Sequence, residues 1–271
     1  MDSTRCCVKI SGAFETRKGL RQGDDNSCLL LNIALKGVIR RAGFNMRGTI
    51  FSRTSQFICY ADDVDIVGRR FDAVAEQYTV LKREAEKVGL KVNTSKTKYL
   101  LAGCGTGEGR ERMRSGSVTM DGDEFEVVEE FVYLGSLVTS EDNCSREIRR
   151  RIITGSRAYY GLHKTLRSGK LHRSTKCTMY RTLTRPVVPY GHETWTMLEE
   201  DLRALEFFER RVLRTIFGRM NHGLAQLYGG PSIRKVAKAG RIRWAGHVVR
   251  MPDNNPAKLV FASDGPEGRR R

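Results

Sequence analysis

Long apolar runs are missing from this sequence. None of its hydrophobic stretches approaches the roughly 20 residues that cross a bilayer as a helix, so no membrane-spanning segment is expected. Cysteine is present, but not at spacings that suggest a structural task. Cys6, Cys7, Cys28, Cys59, Cys104, Cys144 and Cys177 contain no C-x-x-C pair and are joined by no His-x-x-x-His, which argues against a structural zinc site. A secretory leader is lacking too, since Met1 is followed by polar Asp2, Ser3, Thr4 and Arg5. These absences predict a nuclear or cytoplasmic protein whose cysteines are thiols, best read as small buried hydrophobes. No internal repeat is visible. Acidic residues are few: 31 Asp and Glu stand against 48 Lys and Arg, a formal charge of +17. A surplus of that size favours a polyanionic partner, and nucleic acid is the first candidate.

A chain of 271 residues can bury a core without disulfide or metal staples. Its first half alternates short strand-like runs with helical ones. Cys6 to Ile10 alternates weakly, and Ser27 to Arg41, with Leu29, Leu30, Leu31, Ile33, Leu35 and Val38, is apolar enough to predict a buried helix. Phe57 to Tyr60 and Val64 to Val67 flank Ala61, Asp62 and Asp63, which predicts a hairpin with carboxylates at its turn. Asp72 to Val88 has helical spacing through Val74, Tyr78, Leu81 and Ala85 and is closed by Gly89. Leu90 to Asn93, Tyr99 to Ala102 and Phe131 to Val138 read as strands, the last of them burying Leu134. Asp121-Gly122 between Val118–Met120 and Phe125–Val128 is an I′ hairpin signal. The Gly-, Arg- and Glu-rich stretch from Gly103 to Gly116 predicts a mobile loop.

From Ser140 the pattern turns helical and basic. Ile148, Ile152, Gly155, Tyr159, Leu162 and Leu166 define one helix face, with Arg146, Arg150, Arg157 and Lys164 on another. Between Arg146 and Arg185 there are 12 Lys or Arg and a single acid, Glu147. A second amphipathic helix is expected near Leu198 to Phe217, with Leu202, Leu205, Phe208, Val212 and Ile216 inward. A third is expected after Ser232 as N-cap. The organisation predicted is residues 1–139, residues 140–251 and a disordered basic tail at 252–271.

Four segments carry chemistry. Tyr60-Ala61-Asp62-Asp63 places adjacent carboxylates at a turn, where they repel unless cations sit beside them, and hard dications such as Mg²⁺ prefer oxygen ligands. Taken alone, it is equally an ordinary solvated turn. Gly19-Leu20-Arg21-Gln22-Gly23 lets backbone approach a phosphate or base, and Gln22 can bond a base edge. Lys96, in a turn after Gly89-Leu90-Lys91-Val92-Asn93, could hand a proton to a leaving phosphate. Phe131-Val132-Tyr133-Leu134-Gly135 is an aromatic strand ending in glycine. Each of these last three, alone, is more simply a solvated turn or core.

In this order and spacing, GLRQG, FICYADDVDIVGR, GLKVNTSKTK and FVYLGS resemble the palm of reverse transcriptases, most closely those of LINE-type (non-LTR) retrotransposons. YGHETW, LRALEFFERRVLRTIFG and AGRIRWAGHVVRM are similar to the following region, so the resemblance spans nearly the whole chain. It implies an α+β fold: a partial antiparallel palm sheet with packed helices, residues 1–139, then a helical basic thumb and connecting region, residues 140–251. It implies RNA-directed DNA polymerisation from an RNA template and a DNA primer with deoxynucleoside triphosphates and two Mg²⁺ ions. Asp62 would ligate the metals with Asp63 in support, and Lys96 would serve the leaving pyrophosphate. Arg21, Gln22, Gly23, Tyr60 and Ala61 would border the nucleotide and template. Phe131, Tyr133, Leu134 and Gly135 would hold the primer end, and Arg146, Arg150, Arg157 and Lys164 would follow the nucleic-acid backbone.

The sequence departs from that pattern twice. Asp24, Asp25, Asn26 and Ser27 follow Gly23 where many relatives have a small loop with proline, and only 18 residues precede Gly19 where the family's first metal-binding aspartate and the fingers would lie. The expectation is therefore a C-terminal fragment, inactive alone for want of one bridging carboxylate. A non-catalytic nucleic-acid-binding transposon remnant is the alternative. A metal-dependent nuclease built on Asp62, Asp63 and Asp65 fits less well, because no His or Glu joins them.

Overall fold

The computed structural model describes residues 4–8, 11–16, 26–44, 55–103, 116–141, 143–218 and 223–262. These build an α+β protein in two compact units, one of Met1–Asn93 with Met120–Asp123, the other of Thr94–Thr119 with Glu124–Arg271. Gly19 to Gly23 and most of the Gly103 to Gly116 loop lie outside the described residues.

In the first unit β1 (Thr4–Val8) pairs antiparallel with β2 (Ser11–Thr16), and β3 (Ser55–Tyr60) with β4 (Asp63–Gly68). Helices α1 (Ser27–Arg41) and α2 (Phe71–Glu86) match the periodicity read from the sequence. Val38, Phe57, Leu81 and Ala85 form the core, and Phe44 stacks on Phe57 at 4.6 Å between ring centroids. The burial expected for α1 holds only at its C-terminal end. Val38 is fully buried, whereas Leu29 and Ile33 are each 59% exposed, since no described element covers the first turns. Gly89, at φ 78°, ends α2, and Leu90 then donates its N–H to Ala85 O and packs on the core instead of starting the expected strand. Outside that core, the Tyr78 hydroxyl donates to Asp123, and Lys82 Nζ lies 2.7 Å from the same carboxylate. Lys82, and secondarily Tyr78, hold the Asp123 carboxyl below the usual range, while burial and this carboxylate push the Tyr78 phenol upward.

The second unit begins with β5 (Lys98–Leu100), β6 (Ser117–Met120) and β7 (Asp123–Val128), in the sheet order β5-β7-β6. Asp121 and Gly122 both take positive φ, 50° and 78°, as the I′ signal predicts. The β5–β7 pairing is parallel, so the sheets are not purely antiparallel. The expected single strand from Phe131 to Val138 is a hairpin, β8 (Glu130–Tyr133) and β9 (Ser136–Thr139), turning at Leu134-Gly135. Helices α3 (Cys144–Arg167), α4 (Arg173–Met179), α5 (Glu199–Phe217), α6 (Leu224–Tyr228), α7 (Ile233–Val249) and α8 (Pro256–Ala262) follow. A π-helical turn, Tyr180–Thr184, continues α4. The hairpin strands belong with the helices because Gly103 N–H donates to Ser140 O and Leu137 N–H to the Glu147 carboxylate. The compact division therefore falls after Asn93, well before the change of composition at Ser140. Helix α8 also departs from the disorder expected of residues 252–271. Its proline start and the Asn255 side chain, which accepts from Ala257 N–H at 2.9 Å, begin a helix there.

Both long helices pack as their spacing predicts. Ile148, Tyr159 and Leu166 of α3 and Leu205, Phe208, Val212 and Ile216 of α5 share one buried cluster. Gly155 makes that approach possible, because a Cβ there would lie 2.3 Å from Val188 Cγ2 and 3.3 Å from Phe208 Cζ. Replacing Gly155 by Ala should cost about 1–3 kcal/mol by overpacking. Urea unfolding checks this against Gly169→Ala, where the added methyl meets nothing within 4 Å.

Candidate functional site

The Tyr60-Ala61-Asp62-Asp63 turn owes its shape to strand register. Tyr60 pairs with Asp63, so only Ala61 and Asp62 connect β3 to β4. A two-residue connection between right-twisted strands needs positive φ at its first position, and Ala61 supplies it at φ 53°. The Cys59 thiol leans toward Ala61 O at 3.6 Å, and burial pushes its pKa up. Tyr60, Ala61, Asp62 and Asp63 are all exposed, so both carboxylates face water at the tip. Alternation along β4 puts Asp65 on the same face as Asp63. Two adjacent oxygen donors suit a hard dication, but among the described residues no group of three His, Cys, Asp or Glu could hold a metal ion.

The other residues singled out in the sequence divide. Arg21, Gln22 and Gly23 lie outside the described residues. Lys96 is exposed in the turn before β5, in the second unit.

Phe131, Tyr133, Leu134 and Gly135 are brought together by the β8–β9 hairpin, where Leu134 and Gly135 both take positive φ, 45° and 82°. Leu134 is 40% exposed rather than buried in a strand. A branched side chain in the left-handed region is strained. The neighbours hold it there by capturing carbonyls that the turn leaves out of the ladder. The Tyr190 hydroxyl donates to Leu134 O at 3.0 Å, Arg150 Nη1 donates to Gly135 O at 3.0 Å, and Arg151 donates to the same oxygen. Both guanidiniums are held in turn by Glu147, whose oxygens lie 2.9 Å from Arg150 Nη1 and 2.5 Å from Arg151 Nε. Arg151 also lies over the Tyr190 ring, 4.4 Å from its centroid.

This arrangement adds intramolecular contacts to the basic helix that the sequence does not show. Arg150 pairs with Glu147 at 2.9 Å and bonds the hairpin, and Arg146 pairs with Glu130 at 3.1 Å. Arg157 and Lys164 remain exposed without an ion pair to a described residue. Sequence reasoning missed Glu147, Arg151 and Tyr190 as the supports of the turn. The available signal was Glu147 itself, the lone acid in a basic stretch. Also missed was Glu209, buried at 5% exposure, which accepts from Tyr180 Oη at 3.1 Å and from Ile233 N–H at 2.9 Å. Burial pushes the Glu209 carboxyl up.

A hairpin with paired aspartates at its tip, in an α+β unit of short sheets and helices, is the arrangement of a polymerase palm. Residues 5–138 match the family "Reverse transcriptase (RNA-dependent DNA polymerase)". The chain is also 26% identical, over 219 residues covering 74% of each chain, to a Caenorhabditis elegans protein described as transposon-derived and uncharacterized.

Two substitutions probe these turns. Ala61→Gly should raise stability by about 1 kcal/mol, because glycine occupies positive φ without the Cβ penalty. An unchanged midpoint in thermal unfolding would contradict that strain. Glu147→Ala should lower stability by about 3 kcal/mol, since it strands two guanidiniums and the Leu137 N–H. Glu147→Gln, which keeps one acceptor, should recover part of that loss in the same urea titration.

Proposed function

We propose that the chain is the later palm and the thumb of a non-LTR retrotransposon reverse transcriptase, working in RNA-directed DNA synthesis. The observation that carries this reading is the exposed Asp62-Asp63 turn lying inside the segment matched to the reverse transcriptase family. In this reading Asp62 and Asp63 hold Mg²⁺, with a further carboxylate from outside the described residues. Bound Mg²⁺ would neutralise triphosphate charge and activate the primer 3′-hydroxyl. Tyr60 and Ala61 lie beside the primer terminus, Arg21, Gln22 and Gly23 border the nascent base pair, and Lys96 gives a proton to pyrophosphate. The β8–β9 turn holds the primer end on the carbonyl clasp of Tyr190, Arg150 and Arg151. Arg157 and Lys164 follow the template–primer backbone, a sequence-independent contact whose strength falls with salt.

A second reading, a non-catalytic nucleic-acid-binding transposon remnant, is favoured by the absence of a third metal-ligating side chain at the turn among the described residues. Primer extension separates the two. The 271-residue chain assayed alone with Mg²⁺, a homopolymer RNA template and a DNA primer should give no product. Misplacing a reacting group by about 1 Å can cost on the order of a hundredfold, and two carboxylates do not fix two ions. Fusion to a reverse-transcriptase palm segment that supplies a further carboxylate should restore extension, and Asp62→Asn in the fusion should abolish it. Full activity in that variant would remove the turn from the mechanism and leave the second reading. Under either reading, affinity for a labelled RNA–DNA hybrid should drop steeply between low and physiological salt. Unchanged affinity would contradict a phosphate-tracking helix.

A further inference from the structure

Helices α3 and α5 lie side by side, and their outer faces carry a feature that duplex tracking does not use. Tyr160 on α3 is 61% exposed and Phe207 on α5 is 59% exposed. Large aromatic rings so open to water are costly unless something covers them. Beside Tyr160 sits Arg211. Its Nη2 donates to Ser156 Oγ at 2.8 Å, its guanidinium carbon lies 5.9 Å from the Tyr160 ring centroid, and Phe207 is one helical turn before it on α5. Arg203, Arg210 and Arg214 fall on the same outer stripe of α5 as Phe207, at helical spacings of three and four. All three are exposed and make no ion pair with a described residue. The surface thus alternates flat apolar rings with unneutralised guanidiniums.

We infer that this face binds single-stranded nucleic acid, with unpaired bases stacked on Tyr160 and Phe207 and phosphates on the surrounding arginines. The inference rests on the proposed polymerase reading, and it names a single strand where that reading places a duplex. Base faces inside a duplex are covered by their neighbours and cannot reach a ring on a helix surface, whereas unpaired bases can. A second copy of the chain is disfavoured as the occupant, because each copy carries +17 and would set arginines against arginines. The contact would be sequence-tolerant, since every base has a stacking face.

Fluorescence anisotropy on the full chain tests this with three probes: a labelled RNA single strand, the DNA strand of the same sequence, and their blunt hybrid. The double variant Tyr160→Ala, Phe207→Ala should weaken single-strand binding by about tenfold or more, with hybrid binding changed by less than about twofold. Tyr160→Phe with Phe207→Tyr keeps both planes and should restore single-strand affinity to within about twofold. Because both rings are exposed, thermal unfolding should be the same for all three proteins. Loss on single strands that the planar pair rescues supports the inference, whether the strand is RNA or DNA. Equal loss on the hybrid, no loss at all, or a dimer in sedimentation that the alanine pair splits without changing single-strand affinity would overturn it. If the unmodified chain holds the hybrid but no single strand, this inference fails and the polymerase reading stands; if it holds neither, both fail.

Discussion

The Glu147 carboxylate is buried at 3% exposure in a stretch where every other formal charge is positive. A buried carboxylate needs partners to replace the hydrogen bonds that water would give it. Arg150, Arg151 and the Leu137 N–H are those partners. The same contacts aim both guanidiniums at Gly135 O, and Tyr190 joins them at Leu134 O. One acid thereby couples the basic helix to the hairpin turn and holds a leucine in a conformation that leucine avoids.

The aspartate turn follows a different rule. Its position comes from β3–β4 register, and both of its carboxylates are exposed. Strain at Ala61 is localised at the point where the backbone must reverse, as is common where chemistry and not packing sets the conformation.

Much of the fold was legible because periodicity and turn chemistry are local. Ser27 to Arg41 forms its helix as read, Ser232 accepts from Lys235 N–H as an N-cap, and Asp121-Gly122 turns the hairpin. Ile148, Tyr159, Leu205 and Phe208 point inward as their spacing predicts. What failed was non-local. Apolar content in α1 could not say whether anything would cover Leu29 and Ile33, and an unbroken apolar run concealed the Leu134-Gly135 reversal, which depends on side chains as distant as Tyr190. The Tyr60 to Asp63 turn was readable because its residue types are local, whereas the contacts of Arg146 with Glu130 and of Arg150 with Gly135 O arise only in three dimensions.

The π-helical turn at Tyr180–Thr184 bears on how this lineage can change. Such a turn holds one residue more than an α-helical turn would. Deleting a residue from 180–184 would restore ordinary helix, but would rotate the chain on one side of the deletion by about 100° relative to the other. Tyr180 would then leave Glu209, and the carboxylate that accepts the first N–H of α7 at Ile233 would lose its companion in the core. Point substitutions on the exposed side of this turn, at Arg181 or Leu183, carry no such penalty of register. The segment is thus open to drift in composition and closed to drift in length.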